Sequence, residues 1–267
     1  MTVFQALVLG IIQGLSEFLP ISSSAHLALA PWILHWPDPG LAFDVALHFG
    51  TLVALVWFFW QEWMTLAGAF VSAVRRGRVE TESERRLLWI VIATIPGAIA
   101  GLLLQKYAET VFRAPALIAT MLIVMGAVLW PVDRVAGQER GLESLRWTEA
   151  LLIGLAQVLA LIPGVSRSGS TITAGRALRL SRESAAVFSF LMSLPIIAGA
   201  VLHEAPKALH ENASGVPLIV GVVASAISGW FAIGVLLKFV ARHSYGVFAL
   251  YRLVVGAGVL ALVFFRA

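Results

Sequence analysis

The chain alternates long apolar runs with short polar breaks. Six runs, at about 42–60, 87–105, 114–131, 184–202, 216–238 and 246–265, read as membrane-spanning helices, each approaching the ~20 residues that cross ~30 Å of hydrocarbon. Two further regions, 1–37 and 148–180, are apolar at both ends but broken in the middle, the first by "LPISSSAH" and the second by "IPGVSRSGS". No half of either region makes a clear span by itself. They read as re-entrant helix–loop–helix hairpins that dip in and return to the face they entered from. Irregular backbone at that depth is tolerated only where it is buried in protein or lines a wet cavity.

The two broken regions repeat one another. "QALVLGIIQGLSEFLPISSSAH" (5–26) aligns with "EALLIGLAQVLALIPGVSRSGS" (149–170) at an offset of 144, which sets Gly10 on Gly154, Gln13 on Gln157, Ser22 on Ser166 and Ser24 on Ser168. Each copy is followed by three spans, and an odd number of crossings inverts the second copy. The expected fold is therefore an all-α polytopic membrane protein with two inverted-topology repeats, each a re-entrant helix hairpin plus three transmembrane helices. It forms a single membrane domain, with a first repeat at 1–132, a cytoplasmic linker at 133–147 and an inverted second repeat at 148–267. Broken helices that meet near the midplane of such repeats bind polar cargo or substrate.

Composition agrees with this placement and narrows it. Hydrophobic residues make up 59% and charged residues 13%, and a mean hydropathy of +0.89 lies far from the balance of soluble domains. The absence of cysteine excludes disulfides, thiolate metal sites and a cysteine nucleophile. The sequence pI near 10.0 does not point to nucleic acid, because the basic residues crowd the breaks on one face: Arg75 to Arg86, Arg134 to Arg146, Arg176 to Arg182, Lys238 and Arg242. The other face has only Lys106, Arg113, Lys207 and Arg266. The positive-inside tendency makes the basic face cytoplasmic, so both termini and the mouth of the first hairpin face outward. Nothing before Phe4 resembles the charged start of a cleaved leader.

The chemistry gathers in the two breaks. After Pro20 a new helix can start at Ser22, a favoured N-cap, with free amides and a positive dipole end that suit an anion. The second break repeats the device at Ser166, Ser168 and Gly169 and adds Arg167, a residue suited to bidentate phosphate contact. Gly164 and Gly169 let backbone approach a ligand. Gln13 and Glu17 share a helix face. Ser23 and His26, three apart, place a hydroxyl near an imidazole, as an activated nucleophile requires. Glu17 beside a phosphate asks for a divalent cation, which joins carboxylate to phosphate oxygens; the other role open to it is to orient and charge His26. A single serine here would need no more explanation than close helix packing. Ionisable Glu17, His26 and Arg167 at membrane depth point to a site.

Other polar residues carry less. Asp44 and His48 share a face at the start of a span, where a boundary, a helix cap or support of the site would each explain them. His203, Glu204, His210 and Glu211 read as a solvated outward loop. Arg252, inside the last span, has a buried carbonyl or carboxylate as its expected partner.

With these residues in view the chain resembles the undecaprenyl-diphosphate phosphatase family of the bacterial bacitracin-resistance type. The resemblance runs nearly the whole length, and its specific parts are "QGLSEFLPISSSAHL" (13–27), "PGVSRSGST" (163–171) and "FSFLMSLPIIAGA" (188–200). It implies hydrolysis of the C55 polyprenyl diphosphate to its monophosphate, which recycles the lipid carrier of cell-wall precursors. It also implies a divalent cation, Mg²⁺ or Ca²⁺, and an active site open to the outer side of the bacterial inner membrane. Carried over by position, Ser23 is the nucleophile, His26 its acid/base partner, Glu17 the essential carboxylate and metal ligand, and Arg167 the phosphate clamp. Ser22, Ser24, Ser166, Ser168, Gly169 and Gln13 line the pocket. The sequence departs from the family pattern at Gln13, where a first glutamate of E-x-x-x-E often stands. An amide can ligate a cation or bind phosphate but cannot act as a base, so that work falls on Glu17.

The partners expected are the polyprenyl diphosphate and membrane lipids, with a homodimer left open and nucleic acid excluded. A different function class fits the same repeats, namely a transporter or flippase for a polyprenyl phosphate or another anion. Ser23, His26 and Glu17 favour chemistry over transport, and translocation without turnover would separate the two.

Overall fold

Thr2 opens the first helix with a capping box: its hydroxyl accepts from the Gln5 amide while the Gln5 side chain accepts from Thr2 N–H. That helix, α1 (Val3–Phe18), stops at Leu19, which is extended at ψ 141° because a residue before proline is driven out of the helical region. The computed structural model describes residues 1–110, 114–210 and 215–266, and among these the side chains of all but 105–110 and 207–210. The elements that follow α1 are α2 (Ser23–Leu34), α3 (Leu41–Phe58), α4 (Trp60–Arg76), α5 (Glu82–Thr110), α6 (Pro115–Val135), α7 (Trp147–Val158), α8 (Arg167–Ala177), α9 (Arg182–His210), α10 (Val216–Val240) and α11 (Gly246–Arg266). Among the described residues there is no β-sheet, and the protein is all-α.

Six segments are long and apolar enough to cross a membrane: Leu41–Phe58, Glu82–Leu104, Pro115–Val135, Arg182–Pro206, Val216–Val240 and Gly246–Arg266. They coincide with the six runs read from hydrophobicity. The first arms of the two broken regions, Val3–Phe18 and Trp147–Leu161, are shorter apolar helices.

Two expectations need correction. Residues 60–76 form a helix, α4, which the hydrophobic pattern does not announce. Gln61, Glu62, Thr65 and Arg75 interrupt its apolar residues, and only Leu66 and Ala69 are buried. Arg86 at the start of α5 donates to Glu62 at 2.5 Å and to Glu82 at 2.6 Å, so the loop expected across Arg75 to Arg86 shrinks to the few residues between α4 and α5. His203 and Glu204 lie in the last turns of α9, not in a loop. Glu211, Arg113 and the side chains of His210, Lys106 and Lys207 lie outside the described residues.

The helices pair across the chain: α1 lies on α10, α7 on α5, α3 on α9 and α10, and α6 on α11. Small residues permit this closeness. A Cβ on Gly10 would run into the backbone of Gly221 in α10, and one on Gly154 would run into the backbone of Ala93 in α5. Behind the breaks the core continues through Phe18, which meets Phe190 edge to face at 5.5 Å. At the far end of α6, buried Asp133 accepts from Arg176 Nε at 2.8 Å, Arg182 Nε at 2.9 Å and the Tyr245 amide at 2.9 Å. Arg176 also donates to the carbonyls of Asp133, Ala136, Gly137 and Leu180. A buried charge cluster with this many partners avoids the penalty of an unpaired ion, and it anchors the C-terminal end of α8.

Candidate active site

The two breaks have the same local geometry. Ser22 and Ser166, aligned by the 144-residue offset, adopt φ 78° and 76°, a left-handed backbone that is strained for a residue with a side chain. Each caps the helix behind it, Ser22 accepting from the Ala25 amide at 3.4 Å and Ser166 from the Gly169 amide at 3.0 Å. Each hydroxyl lies 3.2 Å from that of the serine two residues on, Ser24 or Ser168. The N-caps expected at both positions are present. The breaks also bond to each other: the Gly164 amide donates to Ser22 Oγ at 3.2 Å, and Ser168 Oγ donates to the Leu19 carbonyl at 3.1 Å. The starts of α2 and α8 therefore face one locus.

Glu17 occupies that locus. At 6% exposure its carboxylate receives Arg167 NH2 on Oε1 at 2.8 Å, Ser23 Oγ on Oε2 at 2.6 Å and Gln13 Nε2 on Oε2 at 3.1 Å. His48 Nε2 stands 3.8 Å from the same Oε2. Ser23 and Arg167 thus touch the two oxygens of one carboxylate and lie within reach of any tetrahedral anion placed beside it. Arg167 NH1 donates to the Ser189 carbonyl at 3.1 Å, and Thr171 Oγ1 lies 2.7 Å from Ser189 Oγ. The segment at 188–200 thereby steadies the guanidinium.

One expected pairing is absent. His26 does not bond Ser23: its Nδ1 lies 2.7 Å from the Ser22 carbonyl and its Nε2 lies 2.7 Å from the Tyr251 hydroxyl. A carbonyl only accepts, so Nδ1 carries the hydrogen and Nε2 of the neutral ring accepts from Tyr251. The reason is positional. Ser23 is the first residue of α2 and points back across the break to Glu17, while His26 is one turn on and faces α11. The alternative role for Glu17, orienting His26, is likewise not what the geometry has; Glu17 bonds Ser23, Gln13 and Arg167.

A cavity of about 640 Å³ opens beside these groups, lined by Ser24 and His48 near the breaks, by Leu27, Ala28, Ile118 and Leu161 along its walls, and by Trp32, Trp36 and Asp38 further out. His48, whose role was open in the sequence, reaches both the cavity and Glu17, with Nδ1 held by the Asp44 carbonyl at 2.8 Å. Tyr251 and Arg252 are the residues that spacing did not place at the site. An ionisable side chain inside a span was the signal for Arg252, and nothing in the sequence marked Tyr251.

The donor set bears on the expected cation. Gln13 Oε1 is buried and has no hydrogen-bond partner, while Nε2 of the same amide faces Glu17 Oε2; carboxylate, amide and hydroxyl oxygens are the kind that Mg²⁺ or Ca²⁺ takes. Among the described residues no three His, Cys, Asp or Glu side chains gather around a point. These side chains alone make no cage, so a cation here would need its shell completed by phosphate oxygens.

Two helix starts, a serine on a carboxylate and a guanidinium stand beside a cavity among apolar helices, in a chain with six helices long and apolar enough to cross a membrane. The chain belongs to the family described as "Bacitracin resistance protein BacA", which it matches over residues 6–258. It is similar to proteins named undecaprenyl-diphosphatase in Gemmatimonas aurantiaca (59% identical over 261 residues, 98% of each chain) and Pelotomaculum thermopropionicum (54% over 263 residues, 98% of this chain and 97% of the other). A third, in Moorella thermoacetica, is 49% identical over 268 residues and the whole of both chains.

Proposed function

We propose that this protein is an undecaprenyl-diphosphate phosphatase of the bacterial inner membrane, releasing the terminal phosphate of the lipid diphosphate and returning the monophosphate carrier to cell-wall synthesis, with bacitracin resistance as a consequence. The observation that carries the reading is the joint contact of Ser23 and Arg167 with one carboxylate, that of Glu17, which His48 of the cavity wall approaches to 3.8 Å. The apolar walls suit the first isoprenoid units, and the two helix starts suit the diphosphate.

In the reaction Ser23 Oγ attacks the terminal phosphorus and its proton passes to Glu17 Oε2, 2.6 Å away. The bond from that phosphorus to the bridging oxygen breaks, and undecaprenyl monophosphate leaves with the electron pair. Arg167 and the first-turn amides of α2 and α8 stabilise charge on the equatorial oxygens. Glu17 then releases the serine proton to solvent; water attacks the phosphoserine, and its proton passes to Glu17 and on to Ser23 Oγ as the serine–phosphorus bond breaks and phosphate departs. Glu17 takes the base role first expected of His26, which instead holds the start of α2 to α11 through Tyr251. A divalent cation would be held by Glu17 and by Gln13 Oε1, and when bound it supplies positive charge to the diphosphate oxygens.

The finer topology belongs to the same reading. Residues 1–37 and 148–180 are re-entrant hairpins of two inverted repeats, supported by the matched strain at Ser22 and Ser166 and by the exchanged pairings of α1 with α10 and α7 with α5. The cavity lies at the Pro115 end of α6, away from Asp133 and the arginine-rich loops, which supports a site open to the outer face. Purified protein in detergent, given farnesyl or undecaprenyl diphosphate with and without Mg²⁺, tests the activity. Phosphate release that Mg²⁺ raises is expected; no release under any condition would end the reading.

A further inference from the structure

Arg252 stands in the second turn of α11 at 0% exposure, and among the described residues no carboxylate forms an ion pair with it. A guanidinium buried without a counter-ion is costly to keep. Its hydrogen bonds all go to main-chain carbonyls: Nε to Leu122 at 3.3 Å, NH1 to Pro20 at 2.9 Å, and NH2 to Gly164 at 2.6 Å and Val165 at 2.9 Å. Pro20 and Gly164 are the same position of the repeated segment, 144 residues apart. Each lies two residues before an N-cap serine, in backbone that no helix supplies with a donor. One planar fork therefore grips equivalent carbonyls of both breaks, a geometry a lysine ammonium does not reproduce.

Two neighbouring features belong to the same grip. A Cβ on Gly169 would lie 2.9 Å from Arg252 NH1, so the glycine expected to line a phosphate pocket instead makes room for this guanidinium. Tyr251, the preceding residue, holds His26 of α2 at 2.7 Å. Consecutive side chains of α11 thus fix the break that carries Ser23 and its junction with the break that carries Arg167.

We propose that Arg252 is a positioning residue for the phosphatase reaction, clasping the two breaks so that Ser23 and Arg167 meet one phosphoryl group. The inference rests on the function proposed above. Ser23 and Arg167 each begin a helix within three residues of a gripped carbonyl, so a slip of either break displaces one of them directly. A misplacement of ~1 Å at a reacting centre costs about 100-fold in rate. If Arg252 merely satisfied orphan carbonyls, its loss would lower the folded fraction and leave turnover by that fraction unchanged.

The test compares the wild type with Arg252→Lys, Gly169→Ala, Arg167→Lys and the double variant R167K/R252K, on the monodisperse fraction in detergent with farnesyl diphosphate. Arg252→Lys keeps the charge but reaches one break at a time; a kcat about 100-fold lower at little-changed KM is expected. The double variant is expected to lose barely more than Arg167→Lys alone, because both changes undo one alignment. Gly169→Ala keeps the arginine but presses on its NH1 at 2.9 Å and on Ser166 Cβ at 3.0 Å, disturbing the clasp at the second break, so it supplies the answer if the arginine variants do not fold; its kcat should fall while its KM holds. Unchanged kcat in Arg252→Lys or Gly169→Ala, or losses that multiply in the double variant, overturn the clasp. A wild type that releases no phosphate overturns the phosphatase reading as well, whereas an active wild type with unaffected variants removes the clasp alone.

Discussion

At residue 22 and again at residue 166 a serine with positive φ caps a helix and bonds the hydroxyl two positions on, yet the side chains mounted on these matched frames are unlike. The first break sets Glu17, Ser23 and His26 around its turn; at the aligned positions the second sets Leu161, Arg167 and Ser170. One frame bears the carboxylate and the hydroxyl, and the other bears the guanidinium. Two copies of the first would put two carboxylates against a diphosphate, and two copies of the second would offer no base beside the hydroxyl. Duplication explains the shared backbone, and divergence at three positions explains why the pair handles an anion and reacts with it.

The largest effect should come from breaking the first frame. Ser23→Ala and Glu17→Gln should each lower phosphate release on the order of 10³-fold, the scale of losing a nucleophile or its base, measured as kcat on purified protein. Breaking the second frame costs somewhat less. Arg167→Lys keeps a charge but loses the fork that spans Glu17 and the Ser189 carbonyl, and kcat/KM should drop about 100-fold.

Asp133→Asn tests whether the far anchor of α8 serves stability alone. It leaves Arg176 and Arg182 short of their counter-charge, a loss of about 3–5 kcal/mol for a broken buried pair, visible as a lower melting temperature in detergent with KM unchanged in the folded fraction. The smallest effect sharpens the comparison from the other side. Gln13→Glu adds a second carboxylate to the first frame only, and the Mg²⁺ concentration for half-maximal activity should fall; Gln157→Glu, at the aligned position of the second frame, should leave it unmoved.

The frames were legible in the sequence because their causes are local. Pro20 and Pro163 stop helices, Ser22 and Ser166 cap new ones, and six runs of near-spanning length stand where the structure has six spanning-capable helices. The side-chain pairing across a break was not legible. Ser23 and His26 are three apart and look adjacent on a helix, but Ser23 opens α2 and turns back to Glu17, a direction that spacing does not encode. Arg252 is 232 residues from Pro20 and 88 from Gly164, so its charge was visible and its partners were not. The helix α4 escaped notice because an amphipathic segment with two buried residues gives hydrophobicity little to register.

The arrangement of Ser23 on Glu17, facing Arg167, predicts a covalent phosphoenzyme. Farnesyl diphosphate labelled in its terminal phosphate, mixed with excess protein and quenched in acid at early times, should leave label on Ser23, identified by peptide mass spectrometry and missing from Ser23→Ala. Full turnover by Ser23→Ala, with no label on the wild-type serine at any time, would contradict the account.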